Sequence, residues 1–256
     1  MMNDNFVKIK STFDFLKRLQ INESIKKGDF DDVKLLDIGC GNGHDIVKWI
    51  ESNIETCVGI DLSKPNILHA ISKYKGMYFA DATNYKFFYT KKQNSLSEVL
   101  TKRQYPLEYF NICTCYFTLQ HFFESNMMLN NLIQCVNSFL EKGGFFIGMF
   151  LDGDVLLDNF QNDEYESSQL IARKIYKEVH TIGDSVDVYI PYNVLMSENT
   201  YCPSYLVFKS KLINICNKYG IKLIKMSRLP VPTNSDICND TSKFLKFHSI
   251  FMFQKC

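Results

Sequence analysis

The stretch VKLLDIGCGNGHDIVKW, residues 33–49, decides the fold of this chain. Residues 33–38 are mostly apolar and predict a buried strand, the run GCGNG predicts a turn, and residues 45–51 resume helical spacing. A strand, a glycine turn and a helix in this order open the βαβ unit of nucleotide-binding proteins. We therefore predict an α/β fold with a mostly parallel sheet and helices on both faces.

Strands and helices alternate along most of the chain. The apolar patterns predict helices over residues 5–20, 65–75, 125–140 and 205–219, and strands over residues 56–60, 77–80, 109–116, 145–149, 185–195, 222–225 and 247–253. Long polar connections at residues 84–108 and 158–180 are expected to be surface insertions near the site. We expect one domain over residues 1–256, with a helical segment at residues 1–30 that contributes to the site.

The composition is that of a globular protein and carries no strong net charge. The 29 Lys and Arg residues nearly balance the 28 Asp and Glu residues, which disfavours a protein that binds duplexes through a strongly positive field. The longest apolar run, residues 143–151, is too short to cross a bilayer, and the first ten residues have no signal-peptide pattern. The nine cysteines form no Cys-x-x-Cys pair. We therefore expect a soluble intracellular protein with reduced cysteines, no bound metal and no membrane partner.

Three acidic residues follow predicted strands. Asp37 precedes the glycines, Asp61 follows the second strand, and Asp81 follows the third. A carboxylate in the position of Asp61 accepts both hydroxyls of a ribose, in NAD sites as well as in others. A carboxylate in the position of Asp37 repels a pyrophosphate but pairs with the ammonium of a methionine moiety. The pattern therefore favours S-adenosylmethionine over NAD.

The chain resembles the mRNA cap guanine-N7 methyltransferases of eukaryotes and large DNA viruses. The resemblance rests on NFVK (residues 5–8), the stretch LLDIGCGNGHDIVKW (35–49), FNICTCYFTLQHFFES (110–125), GGFFIG (143–148), CPSYLV (202–207) and HSIFMFQK (248–255). It implies a Rossmann-like class I methyltransferase fold with a seven-stranded sheet. It also implies S-adenosylmethionine as methyl donor, S-adenosylhomocysteine as product and the capped 5′ end of mRNA as substrate.

The resemblance also assigns cofactor residues. It implies that Lys8 reaches the cofactor carboxylate and that the remaining contacts come from Asp37, Gly39 and Gly41 along the methionine, Asp61 on the ribose, Asp81 on the adenine amino group and Tyr116 near the methyl donor. Tyr116 stands where the family usually has Gln, and Asn42 where it has Lys.

The residues that the resemblance places around the cap depart from the family pattern. Lys48 and Lys73 are expected at the cap phosphates, and Asp4 and Asn5 at the cap site. The guanine pocket has Gln120-His121 in place of His-Tyr, Ser204 in place of Glu, and His248 in place of Tyr. Loss of the Glu removes a bidentate partner of guanine N1 and N2, so recognition is expected to involve Ser204 and the two histidines.

Guanine N7 already presents a lone pair, so the implied reaction needs no general base. We therefore predict binding and orienting residues and no catalytic residue. Two alternatives stay open: a non-catalytic methyltransferase-fold subunit of a capping complex, and a methyltransferase for another small substrate. The chain could stand alone or join triphosphatase and guanylyltransferase domains of one capping enzyme. The expected location is the nucleus for a cellular protein, and the cytoplasm or virion for a viral one.

Overall fold

The computed structural model describes residues 4–77, 83–91, 95–167, 170–175, 182–189, 202–229 and 239–256. The helices in this part of the chain are α1 (Asp4–Gly28), α2 (Ile46–Glu51), α3 (Lys64–Lys75), α4 (Leu96–Lys102), α5 (Leu119–Phe122), α6 (Asn126–Phe139), α7 (Gly153–Asp158), α8 (Lys209–Lys218) and α9 (Asn239–Lys246). The strands are β1 (Lys34–Ile38), β2 (Thr56–Asp61), β3 (Asn84–Tyr89), β4 (Phe110–Tyr116), β5 (Leu140–Leu151), β6 (Glu164–Glu166), β7 (Ile171–Lys174), β8 (Ser185–Tyr189), β9 (Cys202–Tyr205), β10 (Ile221–Arg228) and β11 (His248–Lys255).

A seven-stranded sheet forms the centre of the molecule, in the order β10-β11-β5-β4-β1-β2-β3. The strands β5, β4, β1, β2 and β3 pair in parallel, whereas β11 pairs antiparallel with both β5 and β10. In the register of the central strands, Asp37 of β1 lies between Gly59 of β2 and Thr114 of β4. This confirms the predicted mostly parallel seven-stranded sheet.

Apolar side chains cover both faces of the sheet. Leu36 packs in one cluster with Leu132 of α6, and Leu35 packs in a second cluster with Trp49 of α2. Neighbouring residues of a strand point to opposite faces, so an uninterrupted apolar strand requires cover on both sides. The carboxyl ends of β1, β2 and β4 therefore meet at one edge, which the glycine turn and α5 follow.

A second, antiparallel sheet has the order β6-β7-β8-β9. Its last strand, β9, carries Ser204 and packs against α5. The bridge between Asp152 and Val207 connects the segment after β9 to the end of β5. The second sheet thus lies beside the carboxyl ends of the central strands.

The predicted connections between the elements were wrong in part. The strand that pairs with β2 is β3, inside the predicted connection at residues 84–108, because the NYKFFY segment buries Tyr85 and Phe87 on alternate positions against the sheet. The strand predicted at residues 77–80 lies, except for Met77, outside the described residues. The connections at 84–108 and 158–180 are not structureless, since the first contains β3 and α4 and the second contains β6 and β7. In addition, α1 continues to Gly28 because Ile21 and Ser24 extend its buried face.

The described residues meet the requirements neither of a membrane-spanning helix nor of a metal site. Among the described residues, no helix has both the length and the apolar character needed to span a bilayer. Within the same ranges, no group of three or more His, Cys, Asp or Glu side chains is arranged to hold a metal ion.

Candidate functional site

The turn between β1 and α2 places backbone, rather than side chains, at the edge of the sheet. Gly39, Gly41 and Gly43 have φ angles of 82°, 54° and 77°, a region that disfavours residues with a Cβ atom. A Cβ atom on Gly39 would overlap the side chain of Thr118. The Gly39 N–H donates to the carbonyl of Ile60 over 2.8 Å, which holds the turn against β2.

Asp61 at the end of β2 fixes this turn and borders a cavity. Its Oδ2 accepts the N–H of Gly41 (2.9 Å) and its Oδ1 accepts the N–H of Ser63 (2.7 Å). The cavity measures about 120 Å³ and is lined by Ile38, Gly39, Ile60, Asp61, Leu62, Thr90, Leu96, Thr118, His121 and Phe122. A carboxylate beside apolar walls suits a nucleoside, whose ribose is polar and whose base is flat.

Asp37 lies at the end of β1 and is buried. Its Oδ1 accepts a 2.6 Å hydrogen bond from the Thr114 hydroxyl. Burial and the nearby carboxylate of Asp45 raise the pKa of Asp37 to about 7, although Thr114 and the ammonium of Lys17 oppose this rise. A buried carboxylate with one donor is well suited to bind a ligand ammonium.

Lys17 of α1 brings a positive charge to the same region. Its ammonium lies 2.7 Å from Asp45 Oδ2 and 4.9 Å from the ring centre of Tyr116. The hydroxyl of Tyr116 in turn donates to the Lys17 carbonyl (3.4 Å), so Tyr116 fastens α1 to the end of β4. The carboxylates of Asp37 and Asp61 and the ammonium of Lys17 therefore form a set that fits a nucleoside bearing an amino acid.

Lys8, the predicted contact of the cofactor carboxylate, lies on the same helix as Lys17. It is nine residues earlier, which is roughly 13 Å along the helix axis at about 1.5 Å per residue. The sequence placed Lys17 only among the lysines from Lys8 to Lys17 expected at the cap phosphates, and not beside the cofactor acids. A signal for its burial exists, because Lys17 follows the buried Phe13 by four positions and shares its face of the helix.

Lys48 belongs to a buried ion-pair network. Its ammonium lies 2.8 Å from both Asp14 Oδ1 and Asp45 Oδ1, and Lys48 is only 4% exposed. Although burial alone would raise the pKa of Asp45, the charges of Lys17 and Lys48 lower it to about 2. Lys48 is therefore engaged within the protein, which does not support its predicted contact with cap phosphates.

Lys73 lies in a more exposed basic cluster. Its ammonium donates to the carbonyl of Gly43 over 3.0 Å. Partial burial and the nearby charges of Lys73 and Lys10 lower the pKa of His44. The cluster of Lys10, His44 and Lys73 lies beside the glycine turn, and His44 was absent from the sequence prediction.

Three of the predicted guanine residues lie on α5 and β9, two elements that pack against each other. The Gln120 side-chain N–H donates to the Phe117 carbonyl (2.6 Å), and its Oε1 is buried without a partner in the described part of the chain. The ring of His121 lines the cavity, where partial desolvation lowers its pKa. Ser204 is buried on β9, and β9 packs on α5.

The fourth predicted guanine residue, His248, lies deeper. It is 2% exposed, and its ring centre is 5.2 Å from that of Phe13, 5.7 Å from that of Phe117 and 4.8 Å from that of Phe244. Its Nδ1 is 3.1 Å from the carbonyl of Phe244. Burial lowers the pKa of His248 to about 4. This environment is that of a core side chain behind the site rather than of a group open to a ligand.

Three predicted site residues cannot be placed by their side chains. Asp81 lies outside the described residues, and β3, the strand that pairs with β2, begins after it at Asn84. At the end of β3 the cavity is lined instead by Thr90. Asp4 and Asn5 begin α1, but their side chains lie outside the described part of the structure.

The buried, neutral His248 predicts a loss of stability in acid. Its folded pKa of about 4 is below the ordinary histidine pKa of 6.5, so the contribution to stability is complete above pH 6.5 and falls as the pH drops towards 4. The expected loss is about 3 kcal/mol in the free energy of unfolding. Urea unfolding at several pH values should show a shallower pH dependence in His248→Gln. The exposed His69→Gln is the control, and a pH dependence equal to that of the native chain in His248→Gln would contradict the assignment.

Comparison with solved structures identifies the class of fold. An S-adenosylmethionine-dependent methyltransferase from Clostridium acetobutylicum superimposes with a TM-score of 0.59 at 13% identity, covering 91% of this chain and 88% of that one. The fold is therefore that of the class I S-adenosylmethionine-dependent methyltransferases.

Residues 2–248 match the family model of the mRNA (guanine-N(7))-methyltransferase domain, and the chain belongs to this family. An mRNA cap guanine-N(7) methyltransferase of Cryptococcus neoformans is 25% identical over 194 residues, 75% of this chain and 31% of that protein. A probable mRNA-capping enzyme of Acanthamoeba polyphaga mimivirus is 23% identical over 228 residues, 76% of this chain and 20% of that protein. The chain thus spans less than a third of the length of these relatives. The family match confirms the resemblance seen in the sequence.

Proposed function

We propose that this chain transfers the methyl group of S-adenosylmethionine to N7 of the guanine cap of mRNA. One observation carries the proposal: a chain that matches the cap methyltransferase family over residues 2–248 brings Asp37, the glycine turn and Asp61 to one edge of its sheet. The names of its relatives support the same substrate.

Different residues at this edge bind different parts of the cofactor. Asp61 accepts the ribose hydroxyls through the oxygen lone pairs that Gly41 and Ser63 leave unused. Leu62, Leu96 and Phe122 form the apolar wall for the adenine. Asp37 binds the ammonium of the methionine part, and Lys8 binds its carboxylate, as the resemblance implies. The ammonium of Lys17, which pairs with Asp45, adds positive charge near Asp37.

The chain contributes orientation rather than proton transfer. S-adenosylmethionine supplies an activated methyl group on a positively charged sulfur. The protein holds the two reactants in line, and such orientation accounts for up to roughly 7–11 kcal/mol of a barrier. The neutral His121, which lines the cavity, avoids a further positive charge beside a guanine that becomes cationic.

The cap is proposed to lie between the basic cluster and α5. Lys10, His44 and Lys73 face the phosphates, and Gln120, His121 and Ser204 face the guanine. Because the substrate is an RNA that already carries a guanylate cap, triphosphatase and guanylyltransferase activities must act before this chain. Such activities, in the same or another protein, are its proposed partners, in the nucleus or at a viral site of transcription.

The test is methyl transfer by the purified chain from labelled S-adenosylmethionine to capped RNA. We expect label at guanine N7 of capped RNA and none on the same RNA without a cap. Label on a panel of small amines but not on the cap would instead indicate another methyltransferase substrate. Cofactor binding without transfer to any acceptor would indicate a non-catalytic subunit.

Restoring the family acid at Ser204 is expected to tighten cap binding. Ser204 lies on β9 against α5, and a carboxylate there would accept from guanine N1 and N2 with the strength of a charge-assisted pair. We expect Ser204→Glu to bind a cap dinucleotide at least about tenfold more tightly, by calorimetry, with unchanged affinity for S-adenosylhomocysteine. Ser204→Gln is the control of equal size. No gain in a folded Ser204→Glu would place the guanine elsewhere.

A further inference from the structure

We propose that Thr114 is a positioning residue for cofactor binding: its hydroxyl hydrogen-bonds one oxygen of the buried Asp37 carboxylate and thereby orients the other oxygen towards the ligand ammonium. The inference rests on the proposed function, because the ammonium in question belongs to the methionine part of the cofactor. Neither the sequence patterns nor the resemblance pointed to Thr114.

The geometry places Thr114 directly beside Asp37. The two residues are register partners on the neighbouring parallel strands β4 and β1, and Thr114 is fully buried. The Thr114 hydroxyl oxygen is 2.6 Å from Asp37 Oδ1 but 3.4 Å from its alternative acceptor, the Leu36 carbonyl. A hydroxyl has one proton to donate, so the shorter contact with the carboxylate receives it.

The surroundings explain why a single donor matters. The titratable groups that face Asp37 come from the glycine turn, β2, β4 and α1, and they are Asp45, Asp61, Lys17, Tyr116 and the thiols of Cys40, Cys57 and Cys115. Burial raises the pKa of all three thiols and of Tyr116, which therefore stay neutral. The carboxylates of Asp45 and Asp61 raise the pKa of Asp37 and the ammonium of Lys17 lowers it, but that ammonium is already paired with Asp45. The hydrogen bond from the Thr114 hydroxyl therefore matters, because it stabilises the ionised form of Asp37.

The same hydrogen bond determines which oxygen meets the ligand. Because Thr114 binds Oδ1, the Oδ2 atom of Asp37 is left for the ammonium. Without the hydroxyl, the carboxyl group would be free to rotate and more of it would be protonated near neutral pH. The ligand would then have to displace a proton before it could bind.

The experiment compares two ligands over a range of pH. S-adenosylhomocysteine carries the ammonium, whereas 5′-methylthioadenosine has the same adenosine and sulfur without it. Calorimetry from pH 6 to pH 9 should show that the native chain binds S-adenosylhomocysteine more tightly as Asp37 ionises, with a midpoint near pH 7. In Thr114→Val we expect this midpoint to rise by about one pH unit, with roughly fivefold weaker binding at pH 7. Thr114→Ser, which keeps the hydroxyl, should behave as the native chain.

The control ligand separates positioning from a structural effect. Binding of 5′-methylthioadenosine should be the same in all variants. Equal loss of both ligands in Thr114→Val, or an unchanged midpoint for S-adenosylhomocysteine, would overturn the inference alone. If Thr114→Val does not fold, Thr114→Ala is compared with Thr114→Ser under the same two criteria. Failure of the native chain to bind either nucleoside would overturn the proposed function, and this inference with it.

Discussion

Replacing Asp45 by asparagine is expected to lower the free energy of unfolding by about 3–5 kcal/mol. Asp45 is the shared partner of two buried lysines, at 2.7 Å from Lys17 and 2.8 Å from Lys48. Its removal leaves the Lys17 ammonium against the rings of Tyr116 and Phe117, without its carboxylate. Taking an ion away from its partner inside a protein costs far more than losing a surface ion pair, because the remaining charge stays desolvated.

Chemical denaturation of the variant tests this expectation. Asp14→Asn is the matched control, since Asp14 pairs with the same Lys48 but is about a third exposed, and we expect a loss of about 1 kcal/mol or less there. Because the pKa of Asp45 is lowered from 3.8 to about 2, the contribution of its carboxylate to the stability of the fold is complete above pH 3.8. That contribution is lost as the pH falls through 2. Equal losses of unfolding free energy in the two variants would show that the buried ion pairs of Asp45 contribute no more to stability than the more exposed pair of Asp14.

Replacing Asp61 by alanine is expected to weaken S-adenosylmethionine binding at least about a hundredfold. Two charge-assisted hydrogen bonds to the ribose, each worth about 1.5–3 kcal/mol, disappear together. The carboxylate also holds the N–H groups of Gly41 and Ser63, so its loss releases the glycine turn that forms one side of the cavity. Binding and preorganisation of the site are therefore lost in one substitution.

Calorimetry with S-adenosylmethionine measures this loss. Asp61→Asn retains a carbonyl acceptor for one backbone N–H and should be less damaging than Asp61→Ala. Asp31→Ala, an exposed acid on the loop before β1, is the control for a change of net charge. Unchanged affinity in a folded Asp61→Ala would show that the ribose lies elsewhere.

Local patterns in the sequence were sufficient for the central fold. The apolar run at residues 34–38, the glycines after it and the helical spacing beyond them are near neighbours in the chain, so their conformations follow from short-range sterics and burial. The same locality explains why β3 was predicted to be part of a polar connection. The NYKFFY segment is an edge strand with only alternate positions buried, and its pairing with β2 decides its role.

The sequence by itself predicted that Asp37 and Asp61 lie at one edge of the sheet, because they end neighbouring parallel strands whose carboxyl ends must meet. Only the tertiary structure decided the partners of the charged groups. Lys17 and Asp45 are 28 residues apart, and Thr114 and Asp37 are 77 residues apart. Helical spacing shows which face of α1 is buried, but it does not show which carboxylate that face covers. Lysines that look alike in the sequence therefore differ in the structure: Lys17 and Lys48 are buried, whereas Lys73 is exposed. The physical reason is that desolvation depends on how α1 packs over the sheet edge, and that packing is a property of the whole fold.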